Sequence, residues 1–384
     1  MRDRAQIVII GAGVMGASVA YHLTANGLRD VLLLEQAPQP ASGTTARSAA
    51  GVRHEFSSVT NVRLSRYSVE RIKHFNAEVG GDAHFRQIGY LFLITSATDW
   101  QHYQQNTAMQ RAQGVRVELL SPTDAVALVP HMAPDDLIGA VWGPDDGYCD
   151  PRGLALGYLD RAQEQGAQLR CSTQVTGITV QAGQVQGVET VDGFVPCDVV
   201  VNAAGAWAGH VAALAGLDVP VRPVRRCVYV TEPLTTIPRD IPLTIDVGSG
   251  FWMRKADDNI IMGLARPDEP SSYQTDVDWD WQKAVAHAGQ ARFPILKQAR
   301  LAPEQCWGGL YEVTPDSNPI LGRHPALPNY VDVSGFSGHG IMHAPAAGLL
   351  IAEEILDGQA HTIPIDDLRI TRFAQAAEPE HNVF

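Results

Sequence analysis

The sequence predicts an α/β protein in which a Rossmann-like domain with a β-meander is interleaved with an α+β domain built on an antiparallel sheet. Three observations predict it. A glycine-punctuated strand–helix–strand pattern opens the chain, alternating segments between Gln174 and Val195 lead into a wholly apolar run, and β-rich strings cluster in two separate stretches.

The opening unit runs from Gln6 to Glu35. Ile7-Val8-Ile9-Ile10 meets Gly11-Ala12-Gly13-Val14-Met15-Gly16, a helical pattern continues to Asn26-Gly27, and Val31-Leu32-Leu33-Leu34-Glu35 returns. This is one βαβ unit carrying a dinucleotide fingerprint. Gly11 permits the tight turn, Gly13 lets a pyrophosphate touch the backbone, and Gly16 lets helix and strand pack closely. The free N–H groups and positive dipole end of the helix face the phosphates. Glu35 ends the second strand about 20 residues past the last glycine, where a carboxylate binds a ribose diol and repels a 2′-phosphate. NADP is disfavoured, while NAD and FAD stay open.

The stretch from Ala41 to Gly51 is made almost wholly of small residues. It suits pressing N–H groups and hydroxyls against a long cofactor, although composition alone favours a flexible surface loop. Asp150-Pro151 reads as N-cap and first residue of a helix running to Gln165, with Gly166 as its stop. Gln174 to Val180 and Val185 to Val191, split by Ala182-Gly183 and followed by Phe194-Val195, read as a meander. Asp198 to Gly205 is a buried strand ending in residues small enough to let a ligand approach. Strings at 89–94, 226–231, 250–254 and 259–263, with helical patterns at Asp99 to Gln113 and Trp279 to Ala291, suggest a second domain built by insertion. Near the end Val331 to Gly340 is a strand entering a glycine-rich turn, and a helix follows from about Pro345 to Asp357, closed by Gly358. A second helix N-terminus is thereby offered to negative charge.

Composition bounds the function. A chain of 384 residues can bury a sizeable core unaided, and disorder is expected only in the tail from Ala374 onward. The net charge of −13, with no long basic run, argues against a nucleic-acid partner. An anionic substrate would have to be drawn in by local positive charge. Cys149, Cys171, Cys197, Cys227 and Cys306 form no C-x-x-C pair, which argues against a disulfide framework or structural zinc. With no leader pattern and no apolar stretch long enough to span a bilayer, a cytoplasmic location is expected.

Four separated segments resemble the flavin-dependent oxidoreductases of the D-amino acid oxidase superfamily, in the branch holding glycine oxidase, monomeric sarcosine oxidase and the β subunits of sarcosine oxidases and proline dehydrogenases. They are Gly11 to Gly16, Gly43 to Arg53, Val200 to Trp207, and Gly335-Phe336-Ser337-Gly338-His339-Gly340. Trp307 to Asp316 resembles the family's penultimate motif. The resemblance implies a glutathione-reductase-type FAD domain over residues 1–85, 150–220 and 318–370, a substrate domain over 86–149 and 221–317, and a tail over 371–384. FAD would lie extended and noncovalent. Gly11, Gly13, Val14, Met15 and Gly16 would meet its pyrophosphate, and Glu35 with Gln36 its adenosine ribose. Ser42, Gly43, Thr44, Thr45, Arg47 and Ser48 would line the pyrophosphate and ribityl chain, and Val175 the adenine. Ala204, Gly205 and Trp207 would stand nearby, and Gly338, His339, Gly340, Ile341 and Met342 would flank the pyrimidine edge of the flavin. The physical argument for that last point is independent: a helix N-terminus there stabilises negative charge on the ring.

Departures from the family pattern are informative. Gly309 stands where monomeric sarcosine oxidase has its flavin-linking cysteine. Tyr311 replaces a carboxylate-binding arginine of glycine oxidase, Met342 a substrate lysine of sarcosine oxidase, and Ile261 an oxygen-activating lysine. Arg53 matches a substrate-carboxylate arginine, suited by its fork to two charge-assisted bonds, with a structural ion pair to Glu55 as the alternative. His54 and His339 are acid–base candidates, although most histidines are structural. Tyr311, Tyr229 and Trp252 are candidate pocket walls, or simply core.

The resemblance implies an FAD-dependent oxidoreductase that oxidises the C–N bond of a small amino acid, a secondary one such as sarcosine or proline, by hydride transfer to flavin N5, more a dehydrogenase than an oxidase. Alternatives stay open: a glycine or D-amino acid oxidase, a NAD-dependent dehydrogenase, or a flavoprotein subunit that mainly relays electrons. Partners implied are the amino acid and either a second subunit or an electron-transfer acceptor.

Overall fold

Val8 and Ile9 have no exposed surface because the strand that carries them, Ala5–Ile10, has parallel neighbours on both sides. A strand covered on both faces has no use for alternation, so it reads as a continuous apolar run. The computed structural model describes residues 4–374 and 378–384. In it the parallel strands lie in the order Leu327–Ser334, Gly193–Asn202, Ala5–Ile10, Val31–Leu34, Gln168–Arg170. Ile320–His324 pairs antiparallel with the first of these. Val175–Gln181 and Gln184–Thr190 form the expected meander.

The meander's third strand and the buried strand expected from Asp198 are one element, Gly193–Asn202, which pairs with the meander at its start and with Ala5–Ile10 at its end. The change from half-exposed to buried surroundings along its length made it look like two.

Helix Val14–Ala25 packs against Pro151–Glu164 and Gly340–Leu356. The last of these begins five residues before the expected start and carries Pro345 inside it. Proline removes a helical N–H, and side chains support the backbone beside it: Ser18 Oγ donates to Ala344 O at 2.8 Å, and Ala346 N–H donates to Ser68 Oγ at 3.1 Å. The early start brings Gly340, Ile341 and Met342 into the first helical turn.

The second large sheet draws all its strands from residues 90–143 and 222–313. Its order is Trp307–Val313, Arg222–Val230, Asn259–Gly263, Phe251–Ala256, Leu243–Asp246, Tyr90–Ile94, Gly139–Gly143, Glu118–Leu120. It is antiparallel except where Tyr90–Ile94 pairs parallel with Leu243–Asp246. Cross-links hold it to the first layer. Arg47 Nη1 donates to Gly308 O and Trp307 Nε1 to Arg47 O, each at 2.8 Å, and Arg254 Nε reaches Ala49 O at 3.1 Å.

The tail corrects an expectation. Of the tail expected to be disordered, residues 375–377 lie outside the described residues, and within 378–384 Glu380 and Asn382 are packed, 4% and 1% exposed, because the Glu380 carboxylate finds a cluster of donors at Ser57, Ser58 and Asn61. All five cysteines are free thiols. Among the described residues no helix is long and apolar enough to cross a membrane.

Candidate functional site

A cavity of about 700 Å³ runs between the two layers, from Glu35 and Val175 at one end to Tyr311, Arg53 and Phe384 at the other. At the first end the glycines do what their spacing predicts. Gly11 has φ +104°, and a Cβ there would stand 2.4 Å from Ala203 O. A Cβ on Gly16 would stand 2.0 Å from Gly11 O, so that glycine serves helix packing and does not line the cavity. Gly13 and Gly43 differ. An added Cβ would meet only Thr45 Oγ1, at 3.2 Å, in the first case and nothing within 4 Å in the second. The chain itself does not require glycine there for space; a ligand backbone pressed into the cradle would.

Helix Val14–Ala25 has no side-chain N-cap, and Val14 N–H donates to Thr45 Oγ1 at 3.1 Å. Its N-terminus is left for an anion. Glu35 is oriented by two backbone donors, Ala12 N–H and Ala37 N–H, each at 2.9 Å. Carboxylate oxygens have further lone pairs, and Glu35 lines the cavity with them. This end fits an extended dinucleotide such as FAD.

The other residues expected at the cofactor all line the same cavity: Met15, Gln36, Ser42, Thr44, Arg47 and Ser48 near the first helix, Val175, Ala204, Gly205 and Trp207 on the meander side, and Gly338, His339, Gly340, Ile341 and Met342 at the second helix. Here too the helix, Gly340–Leu356, lacks a side-chain cap. Gly338, at φ +99°, is pressed against Tyr311, whose ring a Cβ would meet at 2.2 Å.

Of the four acid–base and anchoring candidates, Arg53, Tyr311 and His339 line the cavity and His54 does not. His54 lies behind the wall with Nδ1 on Asp146. Burial pushes the His54 imidazole down and the Asp146 carboxyl up to about 7, so the contact joins groups that both resist charging. Neighbouring Glu55 is raised well above the carboxylate range by burial and by Asp146. The expected alternative, an Arg53–Glu55 ion pair, is not what forms: Arg53 donates to the backbone carbonyls of Glu55 and Asn382, and its guanidinium lies 4.1 Å over the Phe56 ring. His339 is held well below its usual value by burial, with His343 and Arg53 acting in the same direction. It is a neutral imidazole whose Nε2 has no partner in the described chain.

Arg226, Glu312, Cys227, Tyr90 and the pair Val383 and Phe384 also line the cavity, none of them a site residue expected from the sequence. Arg226 had a usable signal. On the strand Arg222–Val230 adjacent side chains point to opposite faces. Arg225 takes the ion pairs, with Glu269, Asp276 and Asp278, which leaves Arg226 for the cavity. Arg226 donates to Arg225 O, its Nε has no partner, and its guanidinium lies 5.3 Å from the Tyr311 ring centre. Among the described residues neither Arg53 nor Arg226 pairs with a carboxylate. Glu312 accepts Gly335 N–H at 3.1 Å, and burial raises it to about 7. Cys227 is a thiol pushed up by burial, and Gly309 lies against the backbone of Arg47. Ile261 is buried in a cluster with Val228 and Val230, off the cavity, so it does not stand where an oxygen-activating group would act.

Comparison with known proteins agrees with this geometry. The model of a family described as DAO, FAD dependent oxidoreductase, matches residues 6–354. The chain is 31% identical, over an alignment of 420 residues, to FAD-dependent oxidoreductase domain-containing protein 1 of Bos taurus, covering 97% of this chain and 85% of that one. It is 30% identical over 370 residues to the mitochondrial sarcosine dehydrogenase of Homo sapiens, covering 92% of this chain but 40% of that longer protein. The solved L-proline dehydrogenase from P. horikoshii superposes with a TM-score of 0.90 at 31% identity, over 97% of this chain and 99% of that one.

Proposed function

The chain belongs to the DAO family of FAD-dependent oxidoreductases, and within it we propose that this enzyme oxidises the C–N bond of a small secondary amino acid, such as sarcosine or proline, as a dehydrogenase. The observation that carries the reading is the pair of arginines on the cavity wall, neither matched by a carboxylate among the described residues, in a protein whose net charge is −13. Arg53 is buried and Arg226 half-buried; a cation drawn out of water without an anion is costly, so a site that keeps both expects its counter-charge from outside.

FAD, when bound, supplies the two-electron acceptor for a hydride. What this chain supplies is position and electrostatics. Gly13, Gly43 and the uncapped helix at Val14 would hold the pyrophosphate, Glu35 the adenosine ribose, and the turn Gly338-His339-Gly340 the far ring edge. Arg53 and Arg226 would fork the substrate carboxylate beside Tyr311. Tyr90, Leu243, Ile245 and Trp252 on the cavity wall would keep water from the amine, favouring its neutral form. Neutral His339 offers a hydrogen bond at Nε2 rather than a charge. With no lysine on the cavity wall among the described residues, and with the arginines neutralised by substrate, oxygen has no dedicated cation, which favours a dehydrogenase.

The test is anaerobic titration of the yellow holoenzyme with a panel of amino acids, followed by mixing with air-saturated buffer. Sarcosine or proline should bleach the flavin band, and oxygen should restore it more slowly than an artificial dye does. If dithionite bleaches the band and no amino acid does, the substrate reading falls and an electron-relaying subunit takes its place.

A further inference from the structure

The segment 378–384 joins the substrate end of the cavity by two different kinds of contact. One is an anchor. The Glu380 carboxylate accepts Ser57 N–H at 2.8 Å, Ser57 Oγ–H at 2.6 Å, Ser58 N–H at 3.3 Å and Asn61 Nδ2–H at 2.9 Å. These donors surround the N-terminus of helix Val59–Lys73, whose cap is Ser58, so the carboxylate sits where the helix dipole favours it. Asn318 Nδ2 donates to Glu378 O at 3.2 Å, Glu380 N–H to Asp316 O at 2.9 Å, and Asn382 Nδ2 to Glu55 O at 3.1 Å.

The other is a tip. Past buried Asn382 the chain turns into the cavity, where Val383 and Phe384 form part of the wall. The Phe384 ring stands 6.0 Å, centre to centre, from Phe92, and its main-chain oxygen accepts the Tyr311 hydroxyl at 3.2 Å. The Asn382 carbonyl holds one arm of Arg53. Anchor and tip thus meet the two side chains, Arg53 and Tyr311, that stand at the substrate end.

We infer that the segment 378–384 is a specificity-determining wall of the substrate chamber: Phe384 sets the size of amino-acid side chain or ring that fits, and Glu380, clamped on the helix Val59–Lys73, sets where Phe384 stands. It rests on the amino-acid reading for the word substrate, while the wall itself rests on contacts within the chain. Phe384→Ala enlarges the chamber without touching the anchor. Glu380→Ala leaves the ring intact and releases its support, and Glu380→Gln keeps the side-chain length and one acceptor oxygen but sets its NH2 against donors that the second carboxylate oxygen accepts. Glu380 and Phe384 act by shape and placement, so neither is a catalytic residue.

Two readouts on the flavin-loaded enzyme decide the matter. Iodide quenching of flavin fluorescence needs no substrate, and its quenching constant should rise at least about twofold in Phe384→Ala and Glu380→Ala as water and solute gain entry, with Glu380→Gln between them and wild type. The ratio of kcat/KM for pipecolate to that for sarcosine should rise about 10-fold or more in Phe384→Ala, mostly through KM, since removing contact by one methylene alone is worth about 10-fold in an apolar pocket. Phe384→Leu, a milder change, carries the same test should the alanine variant fold poorly. An unchanged quenching constant in folded, flavin-loaded variants overturns the wall, and a raised constant with an unchanged substrate ratio overturns its role in specificity. If no amino acid reduces the wild-type flavin, the function proposed above falls, and the quenching arm still decides the wall.

Discussion

The two ends of the cavity are built in opposite ways. The end that fits the dinucleotide is local: Gly11, Gly13, Val14 and Glu35 belong to one βαβ unit, and the same strand, turn and helix place the helix N-terminus that lacks a side-chain cap. The end proposed for the substrate is assembled from afar, with Arg53, Arg226, Tyr311 and Phe384 arriving from four segments that share no element. Local geometry can hold a constant cofactor through backbone contacts that leave side chains free to vary. Long-range assembly lets each wall of the substrate chamber change alone, which suits a family whose members carry different substrates in their names.

If that contrast is right, backbone changes at the nucleotide end should have the largest effects. Gly11→Val combines a positive φ with a Cβ 2.4 Å from Ala203 O. Strain of about 3 kcal/mol or more corresponds to at least ~100-fold loss of FAD affinity, read as flavin-to-protein ratio. Gly43→Val is the sharper companion. Its Cβ enters open space, while φ −80° with ψ −132° lies outside the ordinary β and α regions, so the apoprotein should melt somewhat below the wild type yet lose FAD affinity far more than that strain accounts for. Normal flavin content in Gly43→Val would mean that the cradle does not touch the cofactor.

Side-chain changes at the substrate end come next. Arg226→Met and Arg53→Met should each lower kcat/KM by about 10- to 100-fold, the range expected for losing a hydrogen bond to a charged group of about 1.5–3 kcal/mol. Flavin content should stay at the wild-type level in Arg226→Met. Loss of flavin without loss of substrate affinity would move Arg226 from the substrate end to the cofactor.

A smaller effect is expected from Glu35→Gln, which keeps an acceptor for one of the N–H groups of Ala12 and Ala37, sets its NH2 against the other and weakens the ribose contact. FAD affinity should fall about 10-fold, as for one charged acceptor made neutral. Equilibrium dialysis of the apoprotein reads it, and an unchanged affinity would leave Glu35 as a loop anchor alone.

The last effect is a pH dependence at Glu312. The folded chain holds its carboxyl proton up to about pH 7, whereas the unfolded chain releases it near 4.5. Between those values the folded state binds more protons, so this group's stabilising contribution is present below pH 4.5 and is lost as pH rises through 7. The melting temperature of the wild type relative to Glu312→Gln should therefore decline over that window, and a constant difference would place the titration elsewhere.

The same contrast decides what could be read from the sequence. The cradle residues were legible because turn, helix start and second strand are consecutive and each glycine has a steric task. The second helix N-terminus was legible as a motif, but its first turn was not, since Pro345 reads as a helix start and the hydroxyls of Ser18 and Ser68 that support the backbone beside it come from other helices. Arg53 was found by resemblance, whereas Arg226 looked like one more strand residue. The tail was hardest. Glu-Pro-Glu-His-Asn composition reads as disorder, and only the donors at Ser57, Ser58 and Asn61, more than 300 residues away in sequence, make Glu380 a buried anchor. His54 shows the reverse error: a residue type suited to catalysis, next to a cavity-lining arginine, whose side chain turns to Asp146 instead.

The central claim is that Arg53 and Arg226 await the carboxylate of an amino acid. Its most direct measurement compares anaerobic flavin reduction by sarcosine and by its neutral amide, N-methylglycinamide, in wild type and in Arg226→Met. The account predicts that the amide reduces the wild-type flavin about 10- to 100-fold less efficiently and that this preference shrinks toward unity in Arg226→Met. Equal efficiency with acid and amide in the wild type would contradict it.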